Sequence, residues 1–245
     1  SHSNDLFRCK EPYFSSRAKG NIYDFVESYK ENCEKTAGKG LMCMFSGNHD
    51  VDRLARHLHG DELKVAFAFI LSMPGAPFIY YGDEIGMRYV EGLKSVEGGY
   101  NRTGSRSPMQ WDDSTNAGFS SAPASDLYIA MDPDKDRPTA KKEMAAPDSL
   151  YHEVKKLIRI RQSHKALQSR GKITFVYAEK NAYPLAYIRE DGDEKILVII
   201  NAAAEAKTFA CDAEPKEAIY NFGAAAEAKN GKITVPAQSA GFYRI

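Results

Sequence analysis

The residues with the most chemistry in this chain stand together. Gly47-Asn48-His49-Asp50-Val51-Asp52-Arg53 follows the apolar run Leu41-Met42-Cys43-Met44-Phe45. A carboxylate just past a strand can serve as general acid, base, nucleophile or stabiliser of positive charge. It can equally cap the helix that follows. His49 can donate a hydrogen bond to a substrate oxygen or be satisfied within a core. Arg53 offers a donor fork close in sequence to Asp50, able to hold it ionised, or an ordinary surface ion pair. Further on, Gly75-Ala76-Pro77-Phe78-Ile79-Tyr80-Tyr81-Gly82-Asp83-Glu84 repeats the pattern of an apolar run ending in ionisable groups.

These groups need strands and helices to hold them. Asn21 is placed to cap a helix with Ile22, Phe25, Val26 and Tyr29 on one face, the i, i+3, i+4, i+7 stripe. Gly38-Lys39-Gly40 ends it. The run 41–46 then reads as a parallel strand covered on both faces. Asp61–Met73 reads as a helix apolar nearly all round, stopped by Pro74-Gly75. Phe78–Tyr81 reads as the next strand. Residues 86–147 show little periodicity and are rich in Gly, Ser, Pro, Asn and Asp, as expected of a long functional or disordered loop. A helix opens at Asp148-Ser149 and ends near His164-Lys165.

After Gly171 the texture changes. Short strand-like runs at 173–177, 184–188, 195–200, 208–210, 217–220, 232–235 and 241–245 are separated by turn signals such as Lys229-Asn230-Gly231. They predict an antiparallel β-sandwich. The alanine-rich stretches 202–206 and 224–228 imitate helix but are too short to be one.

The bulk numbers narrow the function. Among 245 residues, 33 basic and 33 acidic side chains cancel, which argues against non-specific binding to nucleic acid or an anionic membrane. No apolar stretch is long enough to span a bilayer. Cys9, Cys33, Cys43 and Cys211 lack Cys-x-x-Cys pairing and read as reduced thiols of a cytoplasmic protein. Ser1-His2-Ser3 reads as an appended start, so the natural N-terminus is expected upstream. His57 and His59 stand at i and i+2 and do not share a helix face, so no metal site is expected. Without a phosphate loop or a Gly-x-Ser-x-Gly elbow, no cofactor is expected either.

Three segments carry a resemblance: Phe45-Ser46-Gly47-Asn48-His49-Asp50, then Gly75–Gly86, then Ser105-Arg106-Ser107-Pro108-Met109-Gln110-Trp111-Asp112. In this order they resemble the alpha-amylase family, glycoside hydrolase family 13, and most closely its alpha-glucosidase and oligo-1,6-glucosidase branch. Asn116-Ala117-Gly118-Phe119-Ser120 and Pro147-Asp148-Ser149-Leu150 resemble that branch too.

The resemblance implies an α/β plus all-β chain. Residues 1–168 would be the C-terminal part of a (β/α)8 TIM barrel, strands seven and eight with flanking helices. Residues 169–245 would be a C-terminal β-sandwich domain. It implies that Asp50 stabilises an oxocarbenium-like transition state and grips substrate hydroxyls, and that His49 hydrogen-bonds the sugar. Arg53 and Arg106 would lie near the pocket. Tyr81, Asp83 and Glu84 would shape the end of the eighth strand.

The resemblance also exposes a deficit. A retaining glycosidase needs two carboxyl groups about 5–5.5 Å apart, a nucleophile and an acid/base. The family's nucleophile Asp follows the fourth strand and its acid Glu the fifth. No acidic residue before Asp50 ends an apolar strand, and Ile188-Arg189-Glu190-Asp191 lies in a sandwich turn. A whole barrel takes roughly 250 residues. The expectation is therefore a C-terminal piece of a glycosidase of short α-glucosides, inactive alone. Fragments of a trehalose synthase-like or sucrose phosphorylase-like relative, or a non-catalytic carbohydrate-binding piece, are the alternatives. The expected partners are an oligosaccharide and the missing barrel half. Without that half, the edge of strand 41–46 is expected to drive self-association.

Overall fold

A computed structural model describes residues 6–18, 20–95 and 102–245. The first long helix, α1, runs Tyr23–Thr36. Its predicted stripe is the packed face: Ile22, Val26 and Tyr29 are buried, and the Phe25 ring lies edge-on to Phe69 at 5.7 Å. Asn21 is not its cap. Ile22 holds the cap position with no side-chain hydrogen bond, and Asn21 Nδ2 donates instead to Asp24 Oδ2 at 3.0 Å.

Strand β1 (Cys43–Phe45) and strand β2 (Ala76–Phe78) form a two-stranded sheet. Met42 O accepts from Ala76 N at 2.8 Å, and Phe78 O from Ser46 N at 2.9 Å. The bonds advance the same way along both segments, as in a parallel pair. β2 lies earlier than the predicted 78–81, because Tyr80 N turns aside to donate to the Ser46 hydroxyl at 3.0 Å. Tyr80 and Tyr81 are thereby released from the strand.

Helix α2 (Asp61–Ser72) connects the two strands and is buried from Val65 to Ser72. Glu62 anchors its first turn. Its carboxylate accepts from Ser16 Oγ at 2.7 Å, Ser16 N at 2.8 Å, Ser15 Oγ at 3.2 Å and His59 N at 2.9 Å. Burial alone would raise this carboxyl; the four donors outweigh it and hold the acid below the ordinary range. The folded-state value is the depressed one, so the stabilisation is full above about pH 4.3, the ordinary glutamate value, and fades as pH falls through the folded value. A Glu62→Gln protein should melt earlier than the parent at neutral pH, with the gap closing on acidification. Melting curves between pH 7 and pH 3 check this; a gap independent of pH would count against it.

The described parts of the predicted loop 86–147 are largely irregular, with single 3₁₀ turns and a short helix, α3 (Ala140–Ala145); 96–101 lie outside the described residues. Helix α4 (Leu150–Ser163) follows. The C-terminal strands form two antiparallel sheets. One contains β3 (Lys172–Tyr177), β4 (Leu185–Asp191), β5 (Glu194–Asn201), β10 (Ser239–Arg244) and β7 (Ala218–Phe222), in the order β3-β4-β5-β10-β7. The other contains β6 (Lys207–Ala210), β9 (Lys232–Val235) and β8 (Glu227–Lys229), in the order β6-β9-β8. Leu197, Ile199 and Tyr243 from the first share a core with Phe209, Ile233 and Val235 from the second, which makes a sandwich. The second alanine-rich stretch runs into β8, because Asn230 and Gly231 adopt φ of 52° and 70°. Two positive-φ residues close a two-residue hairpin and set Glu227–Lys229 against β9.

Packing divides the chain into two compact units. One gathers the described parts of 1–44 with 57–77 and 156–245; the other holds 45–56 and the described parts of 78–155. Residue 168 lies inside the first. There α2 packs on β5 and β10. The Ser72 hydroxyl lies 2.6 Å from the Tyr187 hydroxyl, and Arg189 Nη1 donates to Ser72 O. Arg161 donates to Leu71 O at 2.8 Å, Met73 O at 2.7 Å and Gly75 O at 2.8 Å. Two buried guanidinium groups thus cap the carbonyl end of one helix, where the helix dipole is negative.

Candidate active site

The turn after β1 holds Asp50 at the surface. Asn48 Oδ1 accepts from Asp50 N at 2.7 Å, and the Asx turn this makes fixes the carboxylate's approach. Asp50 is 47% exposed. Arg102 Nη1 donates to its Oδ1 at 2.6 Å, and Arg106 Nη2 lies 3.4 Å from the same oxygen. His49 Nε2 lies 3.5 Å from Oδ2. Arg106 Nε also donates to His49 O at 2.9 Å, and Ser105 Oγ to Val51 O at 2.7 Å. The irregular loop is therefore pinned to the strand-end turn at several points. The result is a solvent-facing carboxylate with an imidazole beside it and two guanidinium groups behind.

Arg53 does something else. It does not reach toward Asp50: its side chain is fully buried, and Nη1 donates to Asp83 Oδ1 at 2.9 Å and Tyr81 O at 2.7 Å. Its guanidinium carbon sits 4.8 Å from both the Tyr80 and Tyr81 ring centroids. Arg53 Nε and Nη2 find no hydrogen-bond partner among the described residues. The π faces supply part of what those groups lose on leaving water. Asp83 completes the cluster by accepting from Ser46 Oγ at 2.7 Å. A Cβ on Gly47 would stand 2.7 Å from Asp83 Oδ2, so only glycine lets the carboxylate come this close. The arginine expected at the substrate is thus a tie between the ends of the two strands. Sequence proximity to Asp50 misled, because Val51 and Asp52 turn the chain inward before Arg53.

Arg102 is the site residue that the sequence concealed. It lies in the aperiodic loop, where nothing marks one arginine above another. Its only available signal is its place shortly before the Ser105–Asp112 motif.

Beside Asp50, Tyr81, Arg106, Pro108, Met109, Trp111, Phe119, Tyr128 and Glu84 help to line a cavity of about 440 Å³. The Tyr81 hydroxyl donates to Ser107 O at 2.8 Å, fixing one wall. Burial raises the Glu84 carboxyl above the ordinary range; backbone N–H groups of Glu84 and Gly82 oppose this, and Asp83 adds to it. No group of three or more His, Cys, Asp or Glu residues among the described residues is arranged to hold a metal ion.

A parallel strand pair ends in this carboxylate cluster, and the chain continues into an antiparallel sandwich. The sequence model described as "Alpha amylase, catalytic domain" matches residues 7–170. The chain belongs to the alpha-amylase family. It is 29% identical to the glucan 1,6-alpha-glucosidase of Streptococcus pneumoniae over 92% of this chain and 48% of that protein. It is 30% identical to the oligo-1,6-glucosidase of Parageobacillus thermoglucosidasius over 77% of this chain and 39% of the relative. The crystal structure of the trehalulose synthase MutB from Pseudomonas mesoacidophila MX-45 superimposes with a TM-score of 0.79 at 25% identity, covering 98% of this chain and 50% of MutB. The chain spans about half, or less, of the length of these relatives.

Proposed function

We propose that this chain is the C-terminal part of a retaining glycosidase that cleaves α-glucosidic bonds of short oligosaccharides. β1 and β2 serve as the seventh and eighth strands of its (β/α)8 barrel. Residues 1–168 form the barrel part and 169–245 the sandwich, a division supported by the family match ending at 170. The observation that carries the reading is Asp50 at the end of β1, bracketed by His49, Arg102 and Arg106, within the stretch matched to a catalytic domain.

In this role Asp50 accepts hydrogen bonds from the sugar's hydroxyls and faces the positive charge that develops at the anomeric carbon. His49 donates to the same ring. Arg106 holds the His49 backbone and the Asp50 carboxylate in register. Arg53 acts through the position of Tyr81 and Asp83, without touching substrate.

The bond-breaking pair, a nucleophile and an acid/base carboxyl, belongs to the part of the protein outside this sequence. The chain alone should therefore give no turnover of an aryl α-glucoside above the uncatalysed rate. Clear hydrolysis would refute the missing-carboxylate reading. A fragment of a transglycosylating relative is the second reading, favoured by the likeness to the trehalulose synthase. Products of the whole protein with sucrose separate the two: glucose and fructose for a hydrolase, an isomer for the other.

The two-stranded sheet leaves an outer backbone edge on β1 and on β2 among the described residues, with Leu41 and Phe78 exposed beside them. Such edges and apolar groups pair readily. The isolated chain should sediment as a dimer or larger species at micromolar concentration; a monodisperse monomer would sink this expectation.

A further inference from the structure

Asn230-Gly231 is the one Asn-Gly pair in the chain; a residue with a side chain follows every other asparagine. The pair forms the two-residue turn between β8 and β9, with both residues exposed and both at positive φ. Neither the Asn230 amide nor Gly231 N has a hydrogen-bond partner among the described residues. The turn is tied elsewhere: Gly231 O accepts from Cys211 N at 3.1 Å.

The exposure of this turn is set within the sandwich. Tyr187 and Val198 are cross-strand partners on one face of the larger sheet, and Tyr187 meets Ser72 at the end of α2. Ala186, Leu197 and Ile199 alternate to the opposite face, where they share a core with Phe209, Ile233 and Val235 of the smaller sheet. The hairpin belongs to that smaller sheet, on the side turned away from α2. Strand β8 is an edge of it, exposed at every residue and paired with β9 alone among the described residues.

Charge marks the same turn. Lys229 and Lys232 stand directly opposite each other as its closing pair. Two like charges in that position repel. No carboxylate pairs with either lysine among the described residues.

We infer that Asn230 is a site of spontaneous deamidation, and that the turn accommodates the aspartate product but not the isoaspartate one. Gly231 N attacks Asn230 Cγ, and the Cγ–Nδ2 bond breaks. Nδ2 takes up the proton that Gly231 N loses and leaves as ammonia. A succinimide ring remains, and one water opens it. Attack of water at Cγ gives aspartate; attack at the Asn230 carbonyl carbon gives isoaspartate. Glycine permits the first step because no Cβ stands beside the attacking nitrogen. An Asp-Gly pair favours the same turn as Asn-Gly, and its carboxylate falls between two lysines that have no other acidic partner. Isoaspartate instead carries the main chain through Cβ. It lengthens the turn by one backbone atom and breaks the register that closes on Lys229 and Lys232.

Asn181 is the internal control. It is exposed and also at positive φ, 55°, but alanine follows it. The test incubates the whole chain in mildly acidic and mildly basic buffer and follows both positions by peptide mass mapping. Conversion at Asn230 is expected about tenfold faster than at Asn181, equivalent to about 1.4 kcal/mol off the barrier. It should run faster in the basic buffer, because the attacking nitrogen must lose its proton. Equal conversion at the two positions, or none at Asn230, would overturn the site. The two products are then compared by melting. An Asn230→Asp protein should melt at or above the parent in low salt, with any gain removed by added salt. The isoaspartate form, separated from aged protein, should melt below the parent. An Asn230→Asp protein that melts below the parent, or an isoaspartate form that melts with it, would overturn the distinction between the products.

Discussion

An Arg53→Met protein is expected to lose about 3–5 kcal/mol of stability, because Asp83 would remain behind, buried and without its partner. Both side chains of this pair are wholly out of solvent. The pair itself need not be a large net gain, since removing two charges from water costs nearly what their attraction returns. Breaking it is a different matter: the remaining buried carboxylate keeps the Ser46 hydroxyl but loses the cation that balanced its charge. Tyr81 would lose the bond to its carbonyl at the same step. Urea unfolding followed at Trp111, which lies in the same compact unit, measures the loss. The double change Arg53→Met with Asp83→Leu should recover much of it, since the stranded charge is then gone. A single-variant loss under about 1 kcal/mol would put the pair among ordinary surface bridges and contradict its burial.

Replacing Arg189 by Met should cost about 3 kcal/mol, by a separate route. Arg189 is fully buried, and it donates to the carbonyls of Ser72, Leu167, Gln168, Gly171 and Lys172. Burial pushes this guanidinium down to about 10; Tyr187 opposes the shift and neighbouring Arg161 adds to it. At pH 7 it is still charged. Methionine would remove the cost of burying that charge but take the guanidinium from several carbonyls, and one left with no donor costs about 1–3 kcal/mol; Gln168 O keeps a backbone donor, Gly171 N at 3.2 Å. The carbonyls win because they outnumber the charge and include the last turn of α2. A loss of this size lowers the melting temperature by about 6–12 °C in a chain this long. Arg189→Lys should fall between, keeping the charge without the fork that reaches several oxygens at once. A Met variant that melts with the parent would show that water replaces the guanidinium without penalty.

The sandwich was legible because strand alternation and turn chemistry are local. Ile233 and Val235 point inward between outward Lys232 and Thr234, and Asn230-Gly231 closes its hairpin, all from adjacent residues. α2 was legible from its continuous apolar run. Asn21 failed as a cap because its amide found Asp24 first, a competition no periodicity records. β2 was placed too late because Tyr80 and Tyr81 read as strand formers, while the Ser46 hydroxyl, a long-range partner, draws Tyr80 out of the ladder. Of the residues the motif named, Asp50, His49 and Arg106 stand together in the structure, and Arg53 stands apart from them. The partners of Arg53 and the presence of Arg102 depended on which loop closes over which turn, and spacing along the chain carries no such information.

The guanidinium caps on α2 set a rule for inheritance. Ser72 O is held by Arg189 from β4, and the Ser72 hydroxyl by Tyr187 from the same strand. A gene-shuffling experiment that exchanges the sandwich at residue 168 between relatives would transplant one half of this latch and leave the other. Chimeras that carry 57–77 along with the sandwich should fold where those cut at 168 alone do not. The unit of exchange in this chain is therefore discontinuous in the sequence, although the sandwich itself is one continuous stretch.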